Sequence, residues 1–289
     1  MKLADLTLST PFMNAACSVA KTHEDVAALC KTKAGAVLIG SITLEAREGN
    51  PEPRWFVGEG YALNSFGMPN GGLEFYKTEL PKMAQAIHDA HKIAVLSIAG
   101  FSTKEYVQLA EMADGSGVDM LELNFGCPNV SIEGRQKPIV SFDPETLQEI
   151  IEAVQAVTNL PLAIKLSPYS NPADLQAVAM ILTEVNIAAV VASNTFPNGF
   201  MANEQGGSVL ANELAGVSGK ALLAINLGQV KQFRAALPKS IQIIGVGGVE
   251  TPEAAELYFQ AGADVVQAAT LIVRDGHAAL DTLIKQNGE

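Results

Sequence analysis

Short apolar runs alternate with longer amphipathic stretches from one end of the chain to the other. The runs are Phe12 to Ala16, Ala36 to Ile39, Ala94 to Ile98, Met120 to Leu123, Leu162 to Leu166, Ala188 to Ala192, Gln242 to Val246 and Val265 to Ala268. Short, nearly continuous apolar segments of this kind suit strands of a parallel sheet buried on both faces. Helical periodicity follows them, as in THEDVAALC, STKEYVQLAEMA, DPETLQEIIEAVQAV, NPADLQAVAMILTEV and TPEAAELYFQAG. Several of these stretches open on a Ser, Thr, Asp or Asn cap, three of them with Pro in the first turn. Eight strands alternating with eight helices predict an α/β protein, a closed (β/α)8 TIM barrel. A doubly wound open sheet usually has fewer strands and carries a Gly-rich loop after the first, and that loop is missing here. The 289 residues fit one barrel domain over 1–289, since about 250 residues is typical of that fold.

The barrel prediction turns attention to the residues just after each run, because catalytic groups in such barrels sit at the carboxyl ends of the strands. Leu121-Glu-Leu-Asn-Phe-Gly-Cys-Pro-Asn129 ends the fourth run with Asn124, Cys127 and Asn129 within six residues. A thiol there is a candidate base if positive charge or hydrogen bonds lower its pKa; a buried cysteine acting as a small hydrophobe is the competing reading. Lys165 lies inside an apolar strand whose neighbours should face the helices, so it should point into the barrel, where an ammonium needs an anionic or electron-rich partner. Ser193-Asn194-Thr195 closes the sixth run, and Leu63-Asn-Ser-Phe-Gly-Met-Pro-Asn70 lies in a long connection, Ser41 to Gly72. Both suit either turn chemistry or the grip of a planar polar ligand. Gly245-Val-Gly-Gly-Val249 and Ala268-Ala-Thr270 follow the last two strands, where barrels hold phosphate on backbone amides; Gly216-Val-Ser-Gly219 is a third contributor. A second long connection, Phe125 to Pro144, has the length of a lid.

Composition narrows the function classes. The net charge of -12 and the lack of a Lys/Arg run argue against nucleic acid and anionic membranes as partners. No stretch approaches the ~18 apolar residues of a membrane span, and the N-terminus has no signal-peptide core. A soluble cytoplasmic protein is expected. Cys17, Cys30 and Cys127 show no CxxC spacing, and His23, His88, His91 and His277 are scattered, so neither a disulfide framework nor a metal site is expected. Cys17 and Cys30 read as small buried hydrophobes.

Taken together and in order, the strings FMNAACS, AREGNPEPRWF, LNSFGMPN, LSIAGFS, LELNFGCPNV, AIKLSPY, ASNTFPNG, IIGVGGVET and VVQAAT resemble the soluble dihydroorotate dehydrogenase family over nearly the whole chain. The resemblance implies FMN across the barrel mouth. Its phosphate would rest on Ser218, Gly219, Gly247, Gly248, Ala269 and Thr270, and its ring near Ala16, Ser41, Asn124 and Lys165. Substrate would be held by Asn64, Asn124, Asn129, Asn194 and Thr195 and by the backbone of Gly67 and Met68. Cys127 would be the catalytic base, taking a proton from C5 of dihydroorotate while hydride leaves C6 for the flavin. The cysteine, with no counterpart of the N-terminal helix of quinone-using members, places the chain with the soluble members. The strings look most similar to the homodimeric branch that reoxidises with fumarate.

One departure stands out: where the family has a lysine before a serine at the end of the second strand, this chain has Gly40-Ser41. The missing charge would be worth about 1–3 kcal/mol to an anionic ligand, so a related flavoenzyme with a shifted substrate and a non-catalytic FMN-binding protein are the alternatives. On this reading Gly40→Lys should tighten orotate binding. Phe125-Gly126 and the lid stretch Ser-Ile-Glu-Gly-Arg also differ from the family pattern.

Overall fold

The computed structural model describes residues 1–132 and 135–284; Glu133 and Gly134 of the lid stretch lie outside the described residues. Eight strands form a closed parallel barrel: β1 (Phe12–Asn14), β2 (Ala36–Ile42), β3 (Ile93–Ile98), β4 (Met120–Asn124), β5 (Leu162–Leu166), β6 (Ala189–Ala192), β7 (Gln242–Val246) and β8 (Val265–Ala268). They pair in chain order, and β8 closes on β1 through Val266 opposite Phe12. Each coincides with one of the eight apolar runs, β1 stopping two residues early and β2 running three residues further. The helices are α1 (His23–Cys30), α2 (Gly72–Asp89), α3 (Thr103–Ala113), α4 (Pro144–Gln155), α5 (Pro172–Glu184), α6 (Leu223–Ala236), α7 (Pro252–Ala261) and α8 (Thr270–Asp275). The (β/α)8 architecture read from the periodicity is therefore the one observed.

Local chemistry sets the helix starts. Thr22 and Asp25 form a reciprocal capping box at α1, and Ser102, Asp143, Asn171 and Thr251 each accept a backbone N–H at the start of α3, α4, α5 and α7. Pro144, Pro172 and Pro252 follow three of those caps, where the missing N–H has no partner to lose.

The core has two layers, divided by strand alternation. Along β5, Leu162, Ile164 and Leu166 pack outward against the helices, whereas Ala163 joins the lumen with Met13, Leu38, Val95, Met120, Val191 and Ile244. Burying each outer Leu or Ile contributes about 1.5–3 kcal/mol, so a one-residue slip of β5 would forfeit several such contributions at once. Lys165 is on the Ala163 face and is buried, as the strand position predicted. An N-terminal hairpin, Lys2–Leu3 with Leu6–Thr7, carries Leu3 and Leu8 into the lumen cluster and stoppers the amino end of the barrel.

The carboxyl end carries a feature the periodicity did not show. Trp55–Gly58, Tyr61–Asn64, Ala215–Ser218 and Phe196–Gly199 make a four-stranded antiparallel sheet over the mouth. The long connection after β2 is thus half hairpin, turned at Glu59-Gly60 with Gly60 at φ 77°. This sheet brings Asn64 beside Gly216 and places Ser218 opposite Ala62.

Candidate active site

At the mouth, one cleft with about 690 Å³ of empty space runs into a second of about 460 Å³, and the two share Ala16, Asn194, Thr195, Ser218, Ala269 and Thr270. Ser41, Asn64, Gly67, Met68, Asn124, Cys127 and Asn129 line the first. Lys165, Gly247 and Gly248 line the second. Every candidate named from the sequence therefore faces this space except Gly219. Gly219 sits just behind the wall, its carbonyl oxygen 3.0 Å from where a Cβ on Gly248 would lie.

The asparagines are joined in pairs. Asn129 donates to Asn64 Oδ1 at 2.9 Å, and Asn64 in turn donates to the Gly216 carbonyl at 3.1 Å. Asn194 donates to Asn124 Oδ1 at 3.0 Å, and Asn124 donates to Ser41 Oγ at 2.8 Å. These bonds fix the plane of each amide while leaving at least one N–H of each free for a ligand. Thr195 Oγ1 is buried with no hydrogen-bond partner in the protein, a position that a polar ligand atom would satisfy.

The loop from Phe66 to Asn70 has its own constraint. Gly67 and Met68 both have positive φ, 71° and 54°, and a Cβ on Gly67 would lie 2.6 Å from the Asn50 side chain. Arg47 Nε donates to the Gly67 carbonyl at 3.1 Å, and Asn50 bonds the Phe66 carbonyl from its own amide and Ser65 and Asn129 carbonyls from its side chain. A left-handed methionine is strained by about 1–3 kcal/mol, and these bonds hold it there at the cleft wall.

Cys127 follows Gly126, whose missing side chain lets the segment lie on the ends of β5 and β6: a Cβ there would meet the Leu166–Ser167 peptide at 2.8 Å and Asn194 at 2.9 Å. Phe125 beneath is buried and packs edge-on against Tyr106, the ring centroids 5.4 Å apart. Cys127 itself is half-buried and lines the cleft. Burial accordingly pushes the thiol pKa up, against the Asn129 backbone hydrogen bond and the charges of Lys137, Lys21 and Lys165, which pull it down. The lowered pKa that the sequence reading set as its condition for a base is not met in the resting site, because desolvation outweighs three lysines.

Two groups that sequence reasoning passed over are central. Glu122 is fully buried in the lumen, accepting from Ser97 Oγ at 3.1 Å and from Gln267 Nε2 at 3.0 Å, with Lys165 Nζ 3.8 Å away. That distance is an ion pair without a hydrogen bond, and Lys165 makes no hydrogen bond to the protein among the described residues. Ser97 continues the chain to Ser41 at 2.8 Å and so to Asn124. The second group is Lys21, buried in the same cleft as Cys127. Cys17, read as a small hydrophobe, also stands on this wall, its thiol pushed up by burial. The histidines lie elsewhere: His23 pairs with Glu79 and His88 with Asp119, while His277 reaches the Val19 carbonyl. No metal-binding cluster occurs among the described residues, and no helix there is long and apolar enough to cross a membrane.

A family model described as dihydroorotate dehydrogenase matches residues 1–288. The chain belongs to the dihydroorotate dehydrogenase family. It is 34% identical over 285 residues to a dihydroorotate dehydrogenase (fumarate) of Trypanosoma cruzi, covering 96% of this chain and 88% of that one. To dihydroorotate dehydrogenase A (fumarate) of Lactococcus lactis subsp. cremoris it is 33% identical over 289 residues, 98% of this chain and 91% of the other. A crystal structure of the Eimeria tenella enzyme in complex with ferulenol superposes with a TM-score of 0.82 at 22% identity, covering 98% of this chain and 81% of that one, which shows the shared fold.

Beside this cleft, Gly40 has a structural reason. Its φ is 117°, and a Cβ built on it would lie 2.4 Å from the Ser97 carbonyl oxygen. The backbone there has closed on the neighbouring strand, so a lysine cannot simply be restored. Gly40→Lys is expected to destabilise by about 1–3 kcal/mol instead of tightening orotate binding. Thermal unfolding checks this, and an unchanged melting temperature with tighter orotate would return the argument to the missing charge alone.

Proposed function

We infer that the protein is an FMN-dependent dihydroorotate dehydrogenase of pyrimidine synthesis, a single-domain cytoplasmic homodimer that oxidises dihydroorotate to orotate and passes the electrons to fumarate. The observation that carries this reading is that the Cys127 thiol and the Lys165 ammonium face adjoining halves of one cleft, joined by a wall that includes Asn194 and Thr195.

The residues present fit FMN. Lys165 is a buried cation with hydrogen-bond donors unused by the protein, as a partner for an electron-rich ring requires. Gly247 and Gly248 turn at φ 114° and 69°, and a Cβ on Gly247 would lie 2.1 Å from Asn226 Nδ2, so this turn belongs to glycine and leaves its backbone open to a phosphate. Ser218, Gly219, Ala269 and Thr270 would complete the phosphate cradle, and Ala16, Ser41, Asn124 and Lys165 would meet the ring. Bound FMN would supply the acceptor for the hydride from C6.

The chain's own residues do the rest. The asparagine pairs Asn64–Asn129 and Asn124–Asn194, with Thr195 and the backbone of Gly67 and Met68, hold the ring of the substrate and fix its orientation. Cys127 Sγ takes the proton from C5. The cleft keeps this exchange away from bulk water, under a lid whose Lys137 spans to the Gly100 carbonyl and lies 5.2 Å from the Phe101 ring, with Arg47 at 5.1 Å.

Because burial raises the Cys127 pKa, the thiol is protonated near neutrality and the active thiolate fraction increases with each pH unit up to that pKa. Substrate-driven flavin reduction at saturation is therefore expected to accelerate from pH 6 to pH 9; a flat profile would remove the thiol as base. The decisive experiment for the function is anaerobic mixing of the yellow protein with L-dihydroorotate. Bleaching of the long-wavelength flavin band, reversed by fumarate, is expected, and a flavin that stays oxidised refutes the reading.

A further inference from the structure

Gly40 brings no charge to the cleft, but other cations reach it, among them Lys21. Lys21 comes from the connection between β1 and α1, the residue only 8% exposed. Its Nζ donates to the Pro69 carbonyl at 2.7 Å, which sets the ammonium against the Gly67–Pro69 turn, and it shares the cleft wall with Asn64, Met68, Cys127 and Asn129. That bond uses one of three N–H donors. Asp25, the acid nearest in sequence, is taken up by the backbone amides of Lys21 and Thr22 and by His277 at 3.4 Å. Glu52, in the adjoining groove, pairs with Arg54 at 2.6 Å. No carboxylate lies within 4 Å of Lys21 Nζ among the described residues. A buried ammonium with spare donors at the wall of a ligand cleft is a site for an anion.

We propose that Lys21 binds the substrate carboxylate, pairing its ammonium with the C6 carboxylate of dihydroorotate and orotate and thereby selecting carboxylated pyrimidines over neutral ones. This rests on the functional reading above and names the group within it that recognises the anion. The cation reaches the cleft from the β1–α1 connection, while the end of β2, where Gly40 closes on Ser97, offers none.

Burial lowers the Lys21 pKa to about 8; the Cys17 and Cys127 thiols and Asp25 push it back up, and Arg54 presses it further down. At neutral pH the ammonium is still charged. Orotate affinity is consequently present below about pH 8 and falls as the pH rises through it.

The test is equilibrium binding of orotate and of uracil, which has the ring without the carboxylate, to the FMN-loaded protein and its Lys21→Met and Lys21→Gln variants. The flavin spectrum and calorimetry supply the readouts, and thermal unfolding shows that each variant is folded. The expected result is an orotate affinity about ten- to a hundredfold weaker in both variants, with no comparable change for uracil and with the fall above pH 8 abolished. Two variants guard against the loss of either to misfolding. Unchanged orotate affinity in a folded variant, or an equal loss for uracil, overturns the assignment of Lys21 while leaving the function standing. A wild-type protein that neither binds orotate nor is bleached by dihydroorotate fails at the functional reading, and the inference falls with it.

Discussion

Cys127→Ala is expected to slow flavin reduction by dihydroorotate about 10²- to 10⁴-fold, the usual contribution of a positioned general base, while FMN stays bound. The retention of FMN is part of the expectation. Cys127 lines the half of the cleft with Asn64, Asn129 and the Gly67–Met68 turn, whereas Lys165 and the Gly247–Gly248 turn line the other. Removing one sulfur from the first half leaves the second intact. Cys127→Ser gives a finer test. A hydroxyl in this position ionises far less readily than a thiol, so the serine variant should also be slow near neutrality, and its rate should not level off in the alkaline range. Stopped-flow absorbance with saturating dihydroorotate measures both, and a reduction rate within threefold of wild type in the alanine variant would remove Cys127 from the chemistry.

The site was legible in the sequence to the extent that strand ends announce it. The runs ending at Leu123, Leu166, Ala192, Val246 and Ala268 are strands, and the polar residues after them do converge. Lys165 could be placed because strand periodicity fixes which way its side chain points, and Asn124, Cys127 and Asn194 because they stand at or just past the carboxyl ends of β4 and β6. Glu122 carried the same signal, since Met120, Glu122 and Asn124 alternate with Leu121 and Leu123, but the anionic partner that Lys165 needs was sought in a ligand and not on the neighbouring strand. The sheet over the mouth was hidden by its shortness. Its clue was local: two short stretches that each open on an aromatic residue, Trp55–Gly58 and Tyr61–Asn64, flank a Glu-Gly turn.

Other features could not be read from the sequence, for physical reasons. Lys21 sits in an irregular connection where no periodicity assigns a direction, and lysines in such places are ordinarily solvated. The closed backbone at Gly40 is a dihedral and a contact with Ser97, neither of which has a residue signature. The upward shift of the Cys127 thiol is a balance of desolvation against the Asn129 backbone hydrogen bond and three lysines, two of them far off in the chain, and its sign depends on distances that only the fold defines.

The buried pair beneath the cleft makes the second large expectation. Glu122→Leu would leave Lys165 charged in the lumen without its counter-ion, and breaking a buried pair from one side destabilises by about 3–5 kcal/mol. In a chain of this size that corresponds to a fall in melting temperature of roughly 10 °C. Unfolding should be compared at one fixed FMN concentration, because a ligand bound only by the folded state adds its own stabilisation. The double variant Glu122→Leu with Lys165→Met replaces both charges by apolar groups and should regain most of that loss, since the pair at 3.8 Å lacks the close hydrogen-bonded geometry that repays desolvation fully. FMN affinity should not return with it. If Lys165 serves the flavin and Glu122 is its counter-ion inside the barrel, the double variant is a stable fold with a weakened cofactor site. A double variant no more stable than Glu122→Leu would mean that Glu122 acts through Ser97 and Gln267 rather than through the lysine. In that case the chain of bonds from Ser97 to Ser41 and Asn124 would be what ties the lumen to the asparagines of the cleft.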